Sequence, residues 1–183
     1  MKFTIQNTKK YGRGVFASED IKRGEVIHIL QGERLDVADS VNHINSGYGR
    51  PNDPLQVGRR TYLALDIPSL IFNHSCDPNA GIRKRSELFA LRDIAKGQEI
   101  TYDYSATIAP TEWSMKCKCG SKLCRGIIGD ITSLPKSQLA KYKKSGAIQR
   151  YMKSVLREIE SGKYKIPQYE IQALEKLGGN KSN

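Results

Sequence analysis

Three short stretches of this 183-residue sequence carry the side chains able to do chemistry. Phe72-Asn73-His74-Ser75-Cys76-Asp77-Pro78-Asn79 packs an imidazole, two amides, a thiol and a carboxylate together, just after the apolar run Ser69-Leu70-Ile71. Its Asp-Pro-Asn end reads as a turn, because proline fixes φ and Asp or Asn side chains hydrogen-bond nearby backbone. Glu99-Ile100-Thr101-Tyr102-Asp103-Tyr104 alternates with the strand period, which places Tyr102 and Tyr104 on one face and Asp103 on the other. Cys117-Lys118-Cys119-Gly120-Ser121-Lys122-Leu123-Cys124 holds three thiols within eight residues, with a glycine that lets the chain wrap.

Three thiolates suit a metal but do not complete a site. Structural zinc takes four tetrahedral ligands, usually thiolate or imidazole. The chain has four cysteines, and the one outside the knuckle is Cys76. A site of Cys76, Cys117, Cys119 and Cys124 leaves no thiol unused, and a shared metal suits a reducing compartment better than disulfides do. Three thiolates with one imidazole, or a cysteine loop without metal, are the alternatives. The four-thiolate site would clamp the downstream chain onto the Asn73–Asn79 loop.

The elements that must position these groups read as a small β-rich body followed by helices. Gly12-Arg13-Gly14 precedes a β-prone run, and glycines at that spacing let backbone N–H groups approach a ligand. Asp20-Ile21-Lys22-Arg23-Gly24 is echoed by Asp93-Ile94-Ala95-Lys96-Gly97, which predicts two similar strand connections with glycine at positive φ. Residues 36–60 are rich in Asn, Gly, Pro and Ser and read as a long irregular insertion. Pro135 suits an early helical position, and Ile148, Tyr151, Met152, Val155, Leu156 and Ile159 form the apolar stripe of an amphipathic helix that packs on the body. A shorter helix is expected over 168–177, ended by Gly178-Gly179, with a frayed terminus beyond.

The formal charge is +11, and no apolar run is long enough to span a bilayer. The first residues lack the apolar core of a signal peptide, so the expectation is an intracellular protein without membrane contact. Lys136 to Lys165 contains nine Lys or Arg against Glu158 and Glu160. A solvated helical face accounts for that excess as readily as a nucleic-acid partner does.

Taken together, Gly12-Arg13-Gly14, Asn73-His74-Ser75-Cys76-Asp77-Pro78-Asn79, the Tyr102-Asp103-Tyr104 strand and the knuckle ending in Cys124-Arg125-Gly126 resemble the SET-domain protein-lysine methyltransferases, in that family's order. The resemblance covers residues 8 to about 130. It implies a mainly β, β-clip fold of small antiparallel sheets with a knot-like threading, in which the tyrosine segment passes beside the Asn73–Cys76 loop. The corresponding division is a SET domain over 1–109, a post-SET zinc segment over 110–130 and a C-terminal helical extension over 131–183. The implied cofactor is S-adenosylmethionine, bound by Gly12, Arg13, Gly14, Asn73, His74 and Tyr104, with Lys118 against the adenine. Zn2+ would sit on Cys76, Cys117, Cys119 and Cys124. Tyr104 matches the catalytic tyrosine, Tyr102 occupies the position that governs product state, and Asp103 reads as structural.

Where the family has tyrosine after an early strand, this chain has Leu30 in Leu30-Gln31-Gly32-Glu33, and Tyr62 or Tyr48 would have to compensate. The resemblance implies transfer of one methyl group to a lysine of a protein partner, histone-like, ribosomal or DNA-associated, in the cytoplasm or at chromatin or nucleoid. A cofactor-binding adaptor without turnover and a basic zinc protein that binds nucleic acid are the competing classes.

Overall fold

Short β-prone runs separated by glycine corners cannot build one broad sheet, and the described residues form five small ones. A computed structural model describes residues 1–8, 12–46, 54–111, 113–169 and 171–172. The hairpin of β1 (Phe3–Asn7) and β2 (Arg13–Ala17) opens the chain, followed by β3 (Val26–Ile29) and β4 (Gly32–Leu35). Next come helix α1 (Val37–Asn45), β5 (Pro54–Gly58) and β6 (Thr61–Leu65). Strands β4, β6 and β5 form one antiparallel sheet with β6 in the centre. Gly32 is required there, because a Cβ would lie 2.0 Å from the Ala64 carbonyl oxygen.

A 3₁₀ turn at Ser69–Ile71 leads into β7 (Asn73–His74), then β8 (Ala80–Arg83), β9 (Glu87–Ala90) and β10 (Thr101–Tyr102). β9 pairs antiparallel with both β3 and β8. β10 pairs with β7 in parallel, Thr101 opposite Asn73 and Tyr102 opposite His74, and the Ser75 N–H continues the ladder to the Tyr102 carbonyl at 3.1 Å. This is the expected passage of the tyrosine segment beside the asparagine–histidine loop. The knuckle is framed by β11 (Ser114–Lys116) and β12 (Ile127–Gly129), and helices α2 (Lys136–Ser145) and α3 (Arg150–Glu160) follow.

The two echoed corners face one another. Ile21 and Ile94 exchange backbone hydrogen bonds at 2.8 Å, Asp93 accepts from the Arg23 N–H, and Asp20 accepts from the Lys96 N–H. Gly24 and Gly97 both take the expected positive φ, +87° and +83°. Sequence repetition here produces a pair of mutually capped turns that fastens β2 to the strand region before β10.

Two expectations change. Residues 36–60 are not wholly irregular: Asp36 caps α1 by accepting from the Asp39 N–H at 2.9 Å, and Val37 and Val41, one turn apart, are buried. β5 is a buried strand despite its leading proline, while 47–53 lie outside the described residues. The strand over 99–104 is also shorter than its alternation suggests. Asp103 accepts from the Ser105 N–H and turns Tyr104–Thr107 into a 3₁₀ helix, because its side chain offers the backbone a local cap.

Two large apolar cores result. One lies within the strands, around Val15, Leu30, Phe72, Leu88 and Ile100. The other joins Phe89 and Ala106 of the body to Ile131, Tyr142, Met152 and Val155 of the following segment. The amphipathic helix therefore packs on the body as expected, beginning at Arg150 rather than at Ile148. Helical residues at 168–169 and 171–172 open the second expected helix, whose remainder and Gly178-Gly179 end lie outside the described residues. No described helix is long and apolar enough to cross a membrane.

Met152 is fully buried in the second core, so Met152→Ala removes its side chain from a packed site. We expect a loss of about 2–5 kcal/mol in urea unfolding, in a single transition. A loss below about 1 kcal/mol would mean that α3 does not belong to the cooperative core.

Candidate active site and metal centre

Asn73 joins the glycine segment to the tyrosine segment. Its amide donates to the Arg13 carbonyl at 3.0 Å and to Glu99 Oε1 at 2.8 Å. Gly12 has φ +77°, and a Cβ on Gly14 would lie 2.5 Å from Glu99 Oε1 and 3.0 Å from Asn73 Nδ2. Both glycines are thus set by geometry, one by conformation and one by close approach. Asn79 ties the far end of the loop down, donating to the Glu99 carbonyl at 2.8 Å and accepting from the Thr101 N–H at 2.9 Å. A cleft of about 610 Å³ opens here, lined by Asn73, His74, Glu99, Arg92, Cys119 and Gly120 among others. Lys118 is exposed beside it and does not line it. A second cavity, about 180 Å³ beside α1, lies among other residues.

The two tyrosines come together as expected, though through the 3₁₀ turn and not through strand alternation. Their ring centroids are 4.9 Å apart, and the Tyr104 ring lies 5.3 Å from that of His74. The Tyr104 hydroxyl donates to the Phe72 carbonyl at 2.9 Å. With its proton engaged, the oxygen's lone pairs remain to accept from an incoming group. Tyr102 is buried within the strand core.

Asp103 is buried and fully engaged. Both carboxylate oxygens accept from Arg125 at 2.7 Å, and Oδ2 also accepts from the Tyr142 hydroxyl at 2.9 Å. Burial opposes the charge of Arg125, yet the bonds to Asp103 hold its pKa above the ordinary value. Burial, reinforced by the Asp103 charge, pushes the Tyr142 hydroxyl upward too. The sequence signal for these partners was thin: Arg125 reads only as part of the knuckle, and Tyr142 as a residue in a basic helix. A buried aspartate demands such a partner, but burial is not visible in the chain order.

His74 faces inward. Burial lowers its pKa to about 4, against the favourable charge of Asp103, so the ring is neutral at pH 7. Nδ1 accepts the Tyr104 N–H at 3.3 Å, which assigns the proton to Nε2, 3.3 Å from Cys76 Sγ.

The ligand atoms of His74, Cys76, Cys117 and Cys119 all lie within 4.8 Å of one another. Cys76 and Cys117 are 3.7 Å apart, and a tetrahedral site with zinc–sulfur bonds of about 2.3 Å has edges of about 3.8 Å. The donor set and spacing therefore fit zinc. Cys124 stands at the edge of this group, exposed, with Sγ 3.9 Å from the Cys117 carbonyl oxygen and its thiol acting on those of Cys117 and Cys119. Burial raises the thiols of Cys76 and Cys117, whereas backbone bonds at Cys76 and Ser121 and the neighbouring thiols outweigh burial at Cys119 and bring it to about 7. The structure thus brings Cys76 to the knuckle as expected, and adds His74 as a nearby imidazole.

Metal analysis separates the two ligand sets. We expect about one zinc per chain, lost in Cys76→Ser and in Cys124→Ser but kept in His74→Ala. Retention by Cys124→Ser with loss in His74→Ala would assign the imidazole instead.

A family model described as SET domain matches residues 12–105. The Arabidopsis thaliana histone-lysine N-methyltransferase ASHH3 is 30% identical over 148 residues, covering 74% of this chain and 40% of the relative. The Saccharomyces cerevisiae histone-lysine N-methyltransferase, H3 lysine-36 specific, is 28% identical over 148 residues, covering 74% of this chain and 20% of that protein. The chain thus spans well under two thirds of the length of these relatives. Among solved structures, the methyltransferase domain of human histone-lysine N-methyltransferase SETMAR superposes with a TM-score of 0.58 at 22% identity, over 70% of this chain and 58% of that one.

Proposed function

The chain belongs to the SET-domain family, and on that premise we propose that it transfers a methyl group from S-adenosylmethionine to the side-chain amine of a protein lysine, mainly once. One observation supports this reading. Asn73, on the parallel β7–β10 pair, lines an open cleft and donates to the Arg13 carbonyl, while the Tyr104 hydroxyl donates to the carbonyl of the preceding residue, Phe72. Gly14 lets the Glu99 and Asn73 side chains, both of which line the cleft, pack directly against the glycine backbone.

When bound, the cofactor supplies an electrophilic methyl on a sulfonium, so no protein nucleophile is needed. The chain's task is alignment and electrostatics. A free lysine has a pKa of about 10.4 and arrives charged. Apolar surroundings and a nearby cation both favour its neutral form, so no aspartate base is required. Asp103 is occupied by Arg125 and Tyr142, in keeping with a structural role. Tyr104, its proton held by Phe72, offers oxygen lone pairs that orient the amine and the transferred carbon. The hydroxyl of Tyr102 would hold a water in the space an added methyl needs, and so would limit the product. Gly12, Arg13, Gly14, Asn73 and His74 would hold the cofactor, and Lys118, exposed beside the cleft, would lie against its adenine. The cysteines, by holding zinc, would keep the knuckle against the cleft.

The two relatives described above are histone-lysine N-methyltransferases, which supports a histone-like substrate and work at chromatin or an equivalent nucleoprotein. Leu30 favours a second reading as an adaptor that binds cofactor without turnover. It is buried in the strand core. Alternation along β6 places Tyr62 opposite the face of Leu63 and Leu65, which pack on that core, and Tyr48 lies outside the described residues.

Tyr104→Phe should lower turnover by about 10²–10³-fold with cofactor affinity unchanged. Unchanged turnover would remove Tyr104 from the chemistry, and cofactor binding without methylation of any lysine in a peptide array would establish the adaptor. Mass spectrometry should find monomethyl-lysine from the unmodified protein and higher states from Tyr102→Phe. Trimethylation by the unmodified protein would sink the product assignment.

A further inference from the structure

The segment from Lys136 to Lys165 carries nine Lys or Arg and two Glu, a net +7 within a chain whose formal net charge is +11. Both carboxylates are already occupied, Glu158 by Arg59 at 2.5 Å and Glu160 by Lys143. The other eight basic side chains are exposed and face no carboxylate among the described residues. The apolar side of the helices is used up in the second core, through Tyr142, Met152, Val155 and Leu156. α3 presents outward Arg150, Lys153 and Arg157, at i, i+3 and i+7 on one face, followed by Glu160, which Lys143 neutralises. At a rise of 1.5 Å per residue these cations recur every ~5 Å along ~10 Å of helix. The row continues onto the body. The Arg150 N–H donates to the Lys84 carbonyl at 2.7 Å and Gln149 Nε2 to the Arg85 carbonyl at 2.6 Å, which sets exposed Arg85 beside the start of α3.

We propose that this face binds duplex DNA through its phosphates, without reading sequence. Regularly spaced, uncompensated cations match a polyphosphate, and releasing its counterions drives such binding. The same face lacks what other polyanions use. Single strands bind by stacking on exposed aromatic rings. Here Tyr142 is buried, the Tyr151 hydroxyl is turned inward to the Thr107 carbonyl at 2.6 Å, and Tyr164 packs against the second core. Anionic membranes take an apolar helix face, and no large apolar side chain of α2 or α3 is exposed. α3 has no Asn or Gln to read adenine edges, which leaves backbone contact. This role is independent of methyl transfer and is measured without cofactor.

The test is fluorescence anisotropy of the full zinc-loaded chain with a mixed-sequence duplex, across about 50 to 200 mM salt. The combined variant Arg150→Glu, Lys153→Glu, Arg157→Glu should weaken binding by about tenfold or more and reduce the salt slope by roughly 2–3. The corresponding Gln variant should show the same direction, and thermal melts check that both remain folded. Arg23→Glu, Arg34→Glu, Lys96→Glu, a reversal of equal size in the body, should leave affinity within about threefold. Unchanged affinity in the α3 variants, equal loss in the body variant, or preference for single-stranded RNA or anionic vesicles over the duplex would each overturn the proposal.

Discussion

A single buried carboxylate holds three parts of this chain together. Asp103 leaves the tyrosine strand, accepts both arms of Arg125 from the knuckle and takes a third bond from Tyr142 of α2. Removing an aspartate from water costs several kcal/mol, and the geometry offsets that only because its oxygens are so fully engaged. The consequence is asymmetric. The ion pair adds little over a well-packed apolar substitute, but losing one partner strands the other charge at a cost of about 3–5 kcal/mol. Strand, knuckle and helices are thereby committed to one arrangement, which is the arrangement that leaves Tyr104 beside His74.

His74 extends the same network in the other direction. Its ring accepts from the Tyr104 backbone and lies against Cys76, so the tyrosine turn and the thiol cluster share one neutral imidazole. Burial keeps that imidazole uncharged, which suits a group wedged between a guanidinium–carboxylate pair and a set of thiols. The proposed cofactor cleft and the candidate zinc site are therefore two sides of one wall.

Much of this arrangement was legible in the sequence, because local chemistry announces itself. Cysteine spacing, the Asp-Pro-Asn turn, the echoed glycine corners and the apolar stripe of α3 each follow from short-range rules. Composition misled over residues 36–60, where one capping aspartate and two valines a turn apart outweigh a polar background. Periodicity misled at Tyr104, where Asp103 bends the chain after two strand residues. Arg125, Tyr142 and Glu99 were not legible as partners, since their roles depend on segments that meet only after folding. The basic character of α2 and α3 was visible, but that both of its glutamates are already neutralised was not.

The parallel pairing of β7 with β10 has a temporal consequence. Its two segments are joined through two other strands and a corner, so the tyrosine segment must arrive beside the loop after much chain has been laid down. Contacts of this kind close slowly, because loop entropy must be overcome before any contact rewards it. Cys76 sits on the earlier segment and the knuckle follows the later one. These thiols meet only once the two segments have paired, so a metal held between them would report that the pairing is complete.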